Sequence, residues 1–167
     1  GEYSIFYKVI DLAGNSTDCT NSFFIYTVDT TGPNITYALH NPISSTGNNP
    51  TPTVRVTQVE ENDIVSLYSD STCLNNITNG GPQTASTGGT LDLVSTALNE
   101  GTTYFYLKAT DPLNNKTDCL GPIEYRLDIQ NPNPSISLYN PLIYPSRNIN
   151  PIFRVSGISH NDSVEIY

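Results

Sequence analysis

The sequence Asp-Leu-Ala-Gly-Asn-Ser-Thr-Asp-Cys at residues 11–19 returns as Asp-Pro-Leu-Asn-Asn-Lys-Thr-Asp-Cys at residues 111–119. A lysine stands three residues before the first aspartate of each copy, at Lys8 and at Lys108. After a deletion of one residue, the correspondence continues. The later matched pairs are Asp29 with Asp128, Pro33 with Pro132, Asn41-Pro42 with Asn140-Pro141, Pro52 with Pro151, Arg55 with Arg154, Asn62-Asp63 with Asn161-Asp162, and Tyr68 with Tyr167. A period of 99 to 100 residues matches the length of one β-sandwich, so the sequence predicts one sandwich per repeat.

The composition and periodicity of the chain predict an all-β fold. Short or alternating runs of β-branched and aromatic residues occur in T-V-R-V-T-Q-V (53–59), D-I-V-S-L-Y (63–68) and T-Y-F-Y-L-K-A (103–109). No segment has the sustained 3.6-residue apolar stripe of an amphipathic helix, and the 12 Pro and 11 Gly favour many turns. Seven strands are expected in the complete unit, near residues 34–40, 52–59, 63–69, 82–87, 90–94, 102–110 and 121–129.

Alternation within these strands also predicts which side chains share a face. One face of the strand at 53–59 should carry Val54, Val56 and Gln58. The core face of the strand at 103–109 should carry Phe105, Leu107 and Ala109. The tyrosines expected to point outward are Tyr104, Tyr106 and Tyr125. Such tyrosines either pack across neighbouring strands or form a contact surface for a neighbour or a glycan.

Two linkers, V-D-T-T-G-P and L-D-I-Q-N-P, set the predicted domain boundaries. Residues 29–129 form one complete repeat, residues 1–28 the last two strands of a preceding repeat, and residues 130–167 the first three strands of a following one. Two or three strands bury too little apolar surface to fold alone, so we interpret the chain as an excerpt from a longer tandem array. The alternative is that neighbouring copies complete the partial repeats by strand addition.

The repeat also accounts for an odd number of cysteines. Cys73 and Cys119 lie in the same complete repeat, and we expect them to form a disulfide. Cys19 is equivalent to Cys119, so its partner is expected outside this segment. The alternative is that Cys73 and Cys119 are free buried thiols.

Several segments resemble the bacterial immunoglobulin-like repeats of large surface adhesins and fibre proteins. The segments that carry the resemblance are D-T-T-G-P (29–33), Y-S-D-S-T-C (68–73), G-T-T-Y-F-Y-L-K-A-T-D (101–111) and A-G-N (13–15). The resemblance implies an immunoglobulin-like sandwich in a protein that is extracellular or attached to the cell surface. The chain departs from the family pattern at Thr103, where a tyrosine is usual, as at Tyr3.

Composition argues against several classes of function. A net charge of −9 with only seven Lys and Arg does not suit nucleic acid, which requires clustered cations. No stretch reaches the 18 apolar residues of a membrane span. The two histidines, His40 and His160, are far apart in the sequence, and neither a phosphate-binding loop nor a metal-spaced Cys/His cluster is present. We therefore expect that the chain is not an enzyme.

An acidic cluster is predicted at one end of the sandwich, where the entry linker, the loop between the second and third strands and the last hairpin turn should meet. Its members are Asp29, Glu60, Glu61, Asp63, Asp111 and Asn115. Their oxygens are the ligands that Ca²⁺ prefers, and the resemblance implies that a bound metal would stiffen the junction between domains. Asp and Asn are also ordinary turn residues. The sequence leaves both interpretations open, and we expect no other cofactor.

Acceptor sequences for N-glycosylation occur five times. They begin at Asn15, Asn34, Asn76, Asn115 and Asn161. Asn15 and Asn115 occupy the same turn in successive repeats, which is an exposed position suitable for modification. In a chain rich in Asn, Ser and Thr, such triplets also arise by chance.

Together these features predict a structural stalk or spacer segment of a secreted or cell-surface fibre or adhesin. Its expected partners are neighbouring repeats or copies of the same protein. A first alternative is a filament subunit that polymerises by strand exchange. A second is an adhesive module that binds a host surface or a glycan, for which the long loop at 74–82 leaves room.

Overall fold

The computed structural model describes residues 1–19, 24–143, 145–160 and 162–167. Within these ranges the chain contains β-strands and no helix. It divides into two compact units, Gly1–Asp128 and Ile129–Tyr167. The strands are β1 (Glu2–Ile5), β2 (Phe24–Thr27), β3 (Thr36–Asn41), β4 (Thr46–Gly47), β5 (Thr53–Val59), β6 (Ile64–Tyr68), β7 (Gln83–Thr84), β8 (Gly89–Val94), β9 (Gly101–Thr110), β10 (Leu120–Leu127), β11 (Ser135–Asn140) and β12 (Ile152–Ser156).

Two sheets of the first unit form a β-sandwich, so the predicted all-β sandwich is confirmed. One sheet has the strand order β3-β5-β8, and the other has the order β4-β10-β9-β6-β7. The pairing is antiparallel except between β4 and β10, which run parallel. Six of the seven strands expected in the complete repeat occur within a few residues of their expected bounds. The expected strand at 82–87 is reduced to the two residues of β7, and the short β4 was not predicted.

The core lies between the two sheets and is apolar. The buried residues that form it are Ile35, Val54, Val56, Val59, Val65, Leu67, Ala85, Leu93, Phe105, Leu107, Ala109, Tyr125 and Leu127. The predicted core face of β9 is confirmed, since Phe105, Leu107 and Ala109 are fully buried. Each large side chain of this kind stabilises the fold by about 1.5–3 kcal/mol through the removal of apolar surface from water.

The prediction of which residues share one face of β5 is wrong at the C-terminal end of the strand. Gln58 is exposed, whereas Val59 is only 2% exposed and joins Val54 and Val56 in the core. The cause is a β-bulge: Gln58 has a φ of 63°, and the register with β8 shifts between Thr57 and Val59. The bulge inserts one residue, so the alternation changes face after it.

The predicted outward orientation is also wrong for Tyr125, which is completely buried. Tyr125 pairs with Thr103 across β9 and β10, and this places it on the same face as Phe105. Its ring stacks on Phe105 with 6.4 Å between the ring centroids. Of the other two tyrosines, Tyr104 is exposed and Tyr106 is half-buried, and both lie on the outer face of β9.

Two further hairpins, β1–β2 and β11–β12, repeat local features of the sandwich. Ser135 pairs with Ser156 as Thr36 pairs with Thr57, which are the positions 99 residues earlier. The hydroxyl oxygens are 2.8 Å apart in the first pair and 2.5 Å apart in the second. The local structure therefore has the period of the sequence, while the tandem arrangement of whole domains stays a prediction.

Candidate functional site

The entry linker packs against the last hairpin turn of the sandwich. At Gly32, a Cβ atom would lie only 2.6 Å from the carbonyl oxygen of Lys116 and 2.7 Å from its carbonyl carbon. Asn115 Nδ2 donates a hydrogen bond of 3.3 Å to the Asp29 carbonyl, and Asp29 Oδ1 accepts one of 2.9 Å from the Thr31 amide. The linker thus holds its position because residue 32 has no side chain.

The hairpin turn at 111–117 is organised by the Asp111 carboxylate. Its Oδ1 accepts hydrogen bonds from the amides of Leu113 and Asn115 at 2.9 and 2.8 Å, and its Oδ2 accepts one from Asn115 Nδ2 at 2.9 Å. Burial raises the pKa of Asp111, but these hydrogen bonds outweigh it and hold the pKa below its usual value. The repeated aspartate and asparagine therefore form a turn in which the side chains replace backbone partners.

The same turn recurs at 11–17 with the same bonds. Asp11 Oδ1 accepts from the amides of Ala13 and Asn15 at 3.0 and 2.8 Å, and Asp11 Oδ2 accepts from Asn15 Nδ2 at 2.9 Å. The hydrogen bond from the Asn15 side chain is the main cause that lowers the pKa of Asp11. Both turns are closed by a threonine hydroxyl, which accepts a hydrogen bond from the amide of Val9 in one and of Ala109 in the other.

The loop between β5 and β6 is organised by Asp63, which is 1% exposed. Asp63 Oδ2 accepts a 2.8 Å hydrogen bond from the Glu60 amide, and the Asp63 amide donates to the Glu60 carbonyl at 3.2 Å. The equivalent bond in the following segment runs from the Ser159 amide to Asp162 Oδ2 at 2.7 Å. The carboxylate thus caps its own loop.

Linker, loop and turn surround a cavity of about 230 Å³ at one end of the sandwich. Of the six residues predicted to form a calcium site, four line this cavity, namely Asp29, Glu60, Asp63 and Asp111. Glu61 is exposed and is not part of the lining, and Asn115 lies beside the cavity through its bond to Asp29.

Most of these acidic groups already have partners. Asp63 and Asp111 accept hydrogen bonds from backbone amides, and Asp29 accepts one from Thr31. Within the described ranges, no three Asp, Glu, His or Cys side chains come together as a metal-binding group. Calcium binding stays a prediction, and a calorimetric titration that gives neither heat nor a shift in melting temperature would contradict it.

The predicted disulfide between Cys73 and Cys119 is confirmed. The bond has an S–S distance of 2.04 Å and joins residues 46 positions apart. A structural disulfide indicates an oxidising, non-cytoplasmic environment. Cys19 is an exposed free cysteine, and its pairing with a residue outside this segment stays a prediction.

The predicted glycosylation sites differ in their surroundings. Asn15, Asn34 and Asn76 are exposed, whereas Asn115 is half-buried. The side-chain nitrogens of Asn15 and Asn115 donate to Asp11 and Asp111. A glycan on either asparagine would replace one hydrogen of the Nδ2 group that makes this bond. Asn161 lies outside the described residues.

The sequence analysis did not predict two features of the sandwich: the close approach of the linker at Gly32 and the burial of Ser66. The close approach of the linker at Gly32 could have been suspected from a glycine that precedes a proline in a short linker. The burial of Ser66, only 4% exposed on the outer side of β6, has no sequence signal, because strand alternation predicts an exposed residue there.

None of the protein-family models matches the chain, and a search of curated proteins found no similar sequence. In the described part of the chain there is no helix with the length and apolar character to span a membrane.

Proposed function

We propose that this chain is a stalk or spacer segment of a secreted or cell-surface fibre or adhesin built from tandem immunoglobulin-like sandwiches. The observation that carries the proposal is the recurrence of one side-chain-bonded turn, at 11–17 and at 111–117, with the same donors and acceptors. A chain that repeats its turns and its strand registers with a period of one domain is typical of arrays of similar domains.

The exposed faces of the two outer hairpins support this interpretation. Ile5 and Tyr26 are 50% and 55% exposed, yet the equivalent Phe105 and Tyr125 in the sandwich are completely buried. On the second hairpin, Ile136 and Phe153 are 62% and 44% exposed. In the proposed array each hairpin belongs to a sandwich of its own, whose other strands cover these side chains.

Two features suit a mechanical role. The Cys73–Cys119 disulfide crosslinks the sandwich across 46 positions, which limits how far the domain can extend under load. The linker at 29–33 packs against the sandwich at Gly32, which restricts motion where one domain would meet the next. The proposed location at the cell surface is compatible with the oxidising environment that the disulfide requires.

Negative-stain microscopy of the native protein tests the proposal. A stalk is expected to look like a string of separate domains, each about 30 Å or more in length for strands of eight to ten residues. A helically ordered rod with lateral contacts between molecules would contradict a stalk and would favour the polymer described next.

The exposed hairpin faces favour one second candidate, a filament subunit completed by strand addition between copies. In that case the β11–β12 hairpin of one molecule would cover the β1–β2 hairpin of another. Light scattering of the purified chain distinguishes the two. A stalk segment stays monomeric, whereas a subunit forms species whose mass rises with concentration. Substitution of Ile5 by Lys should abolish that rise, while Ser4→Lys on the opposite face of β1 should not.

A further inference from the structure

A shallow groove on the outer face of the five-stranded sheet is lined by hydroxyl and ammonium side chains. It lies across β6 and β9 and has a volume of about 260 Å³. The polar residues that line it are Ser66, Tyr68, Lys108, Thr110 and Lys116, and Pro82 forms part of one wall. The groove is distinct from the cavity at the linker end.

Ser66 lies at the base of this groove and is unusual for an outward-facing residue. It is only 4% exposed and pairs with Lys108 across the sheet. Among the described residues no hydrogen bond from its hydroxyl to another protein group is found, and the buried hydroxyl without a partner in that part of the chain is that of Ser95. The Ser66 hydroxyl therefore keeps contact with solvent in the groove and is free to donate to a bound ligand.

The charge of the groove is opposite to that of the molecule. The chain carries a net charge of −9 and has only seven Lys and Arg residues, of which Lys108 and Lys116 line this groove. The one ion pair found among the described residues joins Arg55 to Asp92 at 2.7 Å. Neither lysine of the groove therefore has a carboxylate within ion-pair distance in that part of the chain.

We propose that this groove binds the carboxylate or sulfate group of an acidic saccharide. Two ammonium groups and the hydroxyls of Ser66 and Thr110 supply the donors that an oxyanion requires. Both β6 and β9 are paired on both sides within the sheet, so no free strand edge is available for a peptide to extend the sheet. The volume and the hydroxyl-rich lining, with Tyr68 and Pro82 as flat surfaces, suit one sugar ring.

Most of the polar side chains that line the groove are carried by paired strands. The strands β6 and β9 carry Ser66, Tyr68, Lys108 and Thr110, and the wall includes Cys73 of the disulfide. Sites on strands hold their donors more precisely than sites on mobile loops. This function goes beyond a spacer role, because it gives the outer face of the sandwich a ligand.

Titration of the complete, ¹⁵N-labelled chain with glucuronate, followed by amide chemical shifts, tests the proposal. Glucuronate is expected to shift the signals of residues 64–68 and 108–110, and sulfate ion to do so more weakly. Glucose, which has the same ring and no charge, should leave them unchanged. Lys108→Gln and Lys116→Gln should each weaken glucuronate binding by about threefold to tenfold. The matched control is Lys8→Gln. It removes the same charge at the position that corresponds to Lys108 in the repeat, outside the groove, and should leave the affinity for glucuronate unchanged.

Four outcomes would overturn the proposal. They are the absence of any shift with glucuronate, an equal shift with glucose, the same affinity in Lys108→Gln as in Lys8→Gln, and binding of sulfate ion as tight as that of glucuronate. The last would mean that the groove takes a free oxyanion and not a saccharide. Because the substituted lysines are surface residues, the spectra of the variants should otherwise match that of the unmodified chain.

Discussion

Gly32 is the residue at which the linker depends on the absence of a side chain. The Cβ of Gly32→Ala would meet the Lys116 backbone at 2.6 Å, and backbone atoms held in a hairpin turn cannot move aside freely. We expect the substitution to lower the free energy of unfolding by about 1–3 kcal/mol, measured by urea denaturation. The matched control is Gly88→Ala, whose Cβ would make an ordinary contact at 3.5 Å with the Val59 carbonyl. An equal effect of the two substitutions would contradict the steric argument.

A second prediction at the scale of the residue concerns the pKa of Asp70. The Thr72 hydroxyl, followed by the Asn75, Leu74 and Thr72 amides, donates hydrogen bonds to its carboxylate and lowers the pKa of Asp70 from 3.8 to about 2. Because the folded-state pKa is depressed, the stabilisation by this group is fully present above pH 3.8 and is lost as the pH falls through 2. A carboxyl-carbon NMR titration should show the midpoint near 2.

Thr72→Ala separates this hydrogen bond from the general effect of charge. The variant should move the Asp70 midpoint upward, toward its ordinary value, because the first cause of the shift is removed. Ser71→Ala alters a neighbouring hydroxyl that does not donate to Asp70 and should leave the midpoint in place. A midpoint near 3.8 in the unmodified chain would show that the loop does not hold these bonds in solution.

The strands show where alternation predicts burial and where it fails. Residues 106–110 of β9 pair without interruption against β6, and the same alternation extends to Phe105. Phe105, Leu107 and Ala109 were predicted to be buried and are buried. In β5 the bulge at Gln58 changes the face of every later residue. A bulge is set by the pairing with a neighbouring strand, which no single segment of sequence contains. The same limit applies to the candidate site. Residue types predicted that acidic side chains lie at one end of the sandwich, but they did not predict the hydrogen bonds that these side chains make.

Strand β10 is joined to the loop before β5 by a buried tyrosine. Tyr125 donates a 2.9 Å hydrogen bond from its hydroxyl to the Asn49 carbonyl. Tyr125→Phe should lower the free energy of unfolding by about 0.5–1.5 kcal/mol, because the carbonyl loses its donor. Tyr26→Phe is the matched control at the equivalent position of β2, where the side chain is 55% exposed, and it should change stability by less than about 0.5 kcal/mol. Equal losses in the two variants, measured by thermal unfolding, would contradict the assignment.

At the scale of the whole molecule, the sequence predicted the disulfide, which is confirmed, because that prediction depends on the order of residues along the chain. The position of a cysteine within a repeat is independent of how the strands twist or bulge. The groove across β6 and β9 was not predicted, since Ser66, Lys108 and Lys116 are separated in the sequence and meet only through strand pairing. Features that arise from packing between distant segments therefore required the structure.

The Cys73–Cys119 disulfide leads to a prediction about how far the sandwich extends when it is unfolded by force. When the sandwich is unfolded by force with its ends tethered, the crosslink keeps 46 positions of the chain from extending. In the Cys73→Ala/Cys119→Ala variant these residues extend as well, so each unfolding step should lengthen by about 150–165 Å, at about 3.3–3.6 Å per residue. The variant should also lose about 4 kcal/mol of unfolding free energy in the chain-entropy account of a loop of this size.

Cys19→Ala, which removes the exposed free thiol, is the control and should change neither the step length nor the unfolding free energy. Steps of equal length in the double variant and the unmodified chain would mean that the crosslink does not limit extension, and a stalk would then have to draw its resistance to load from the strands alone.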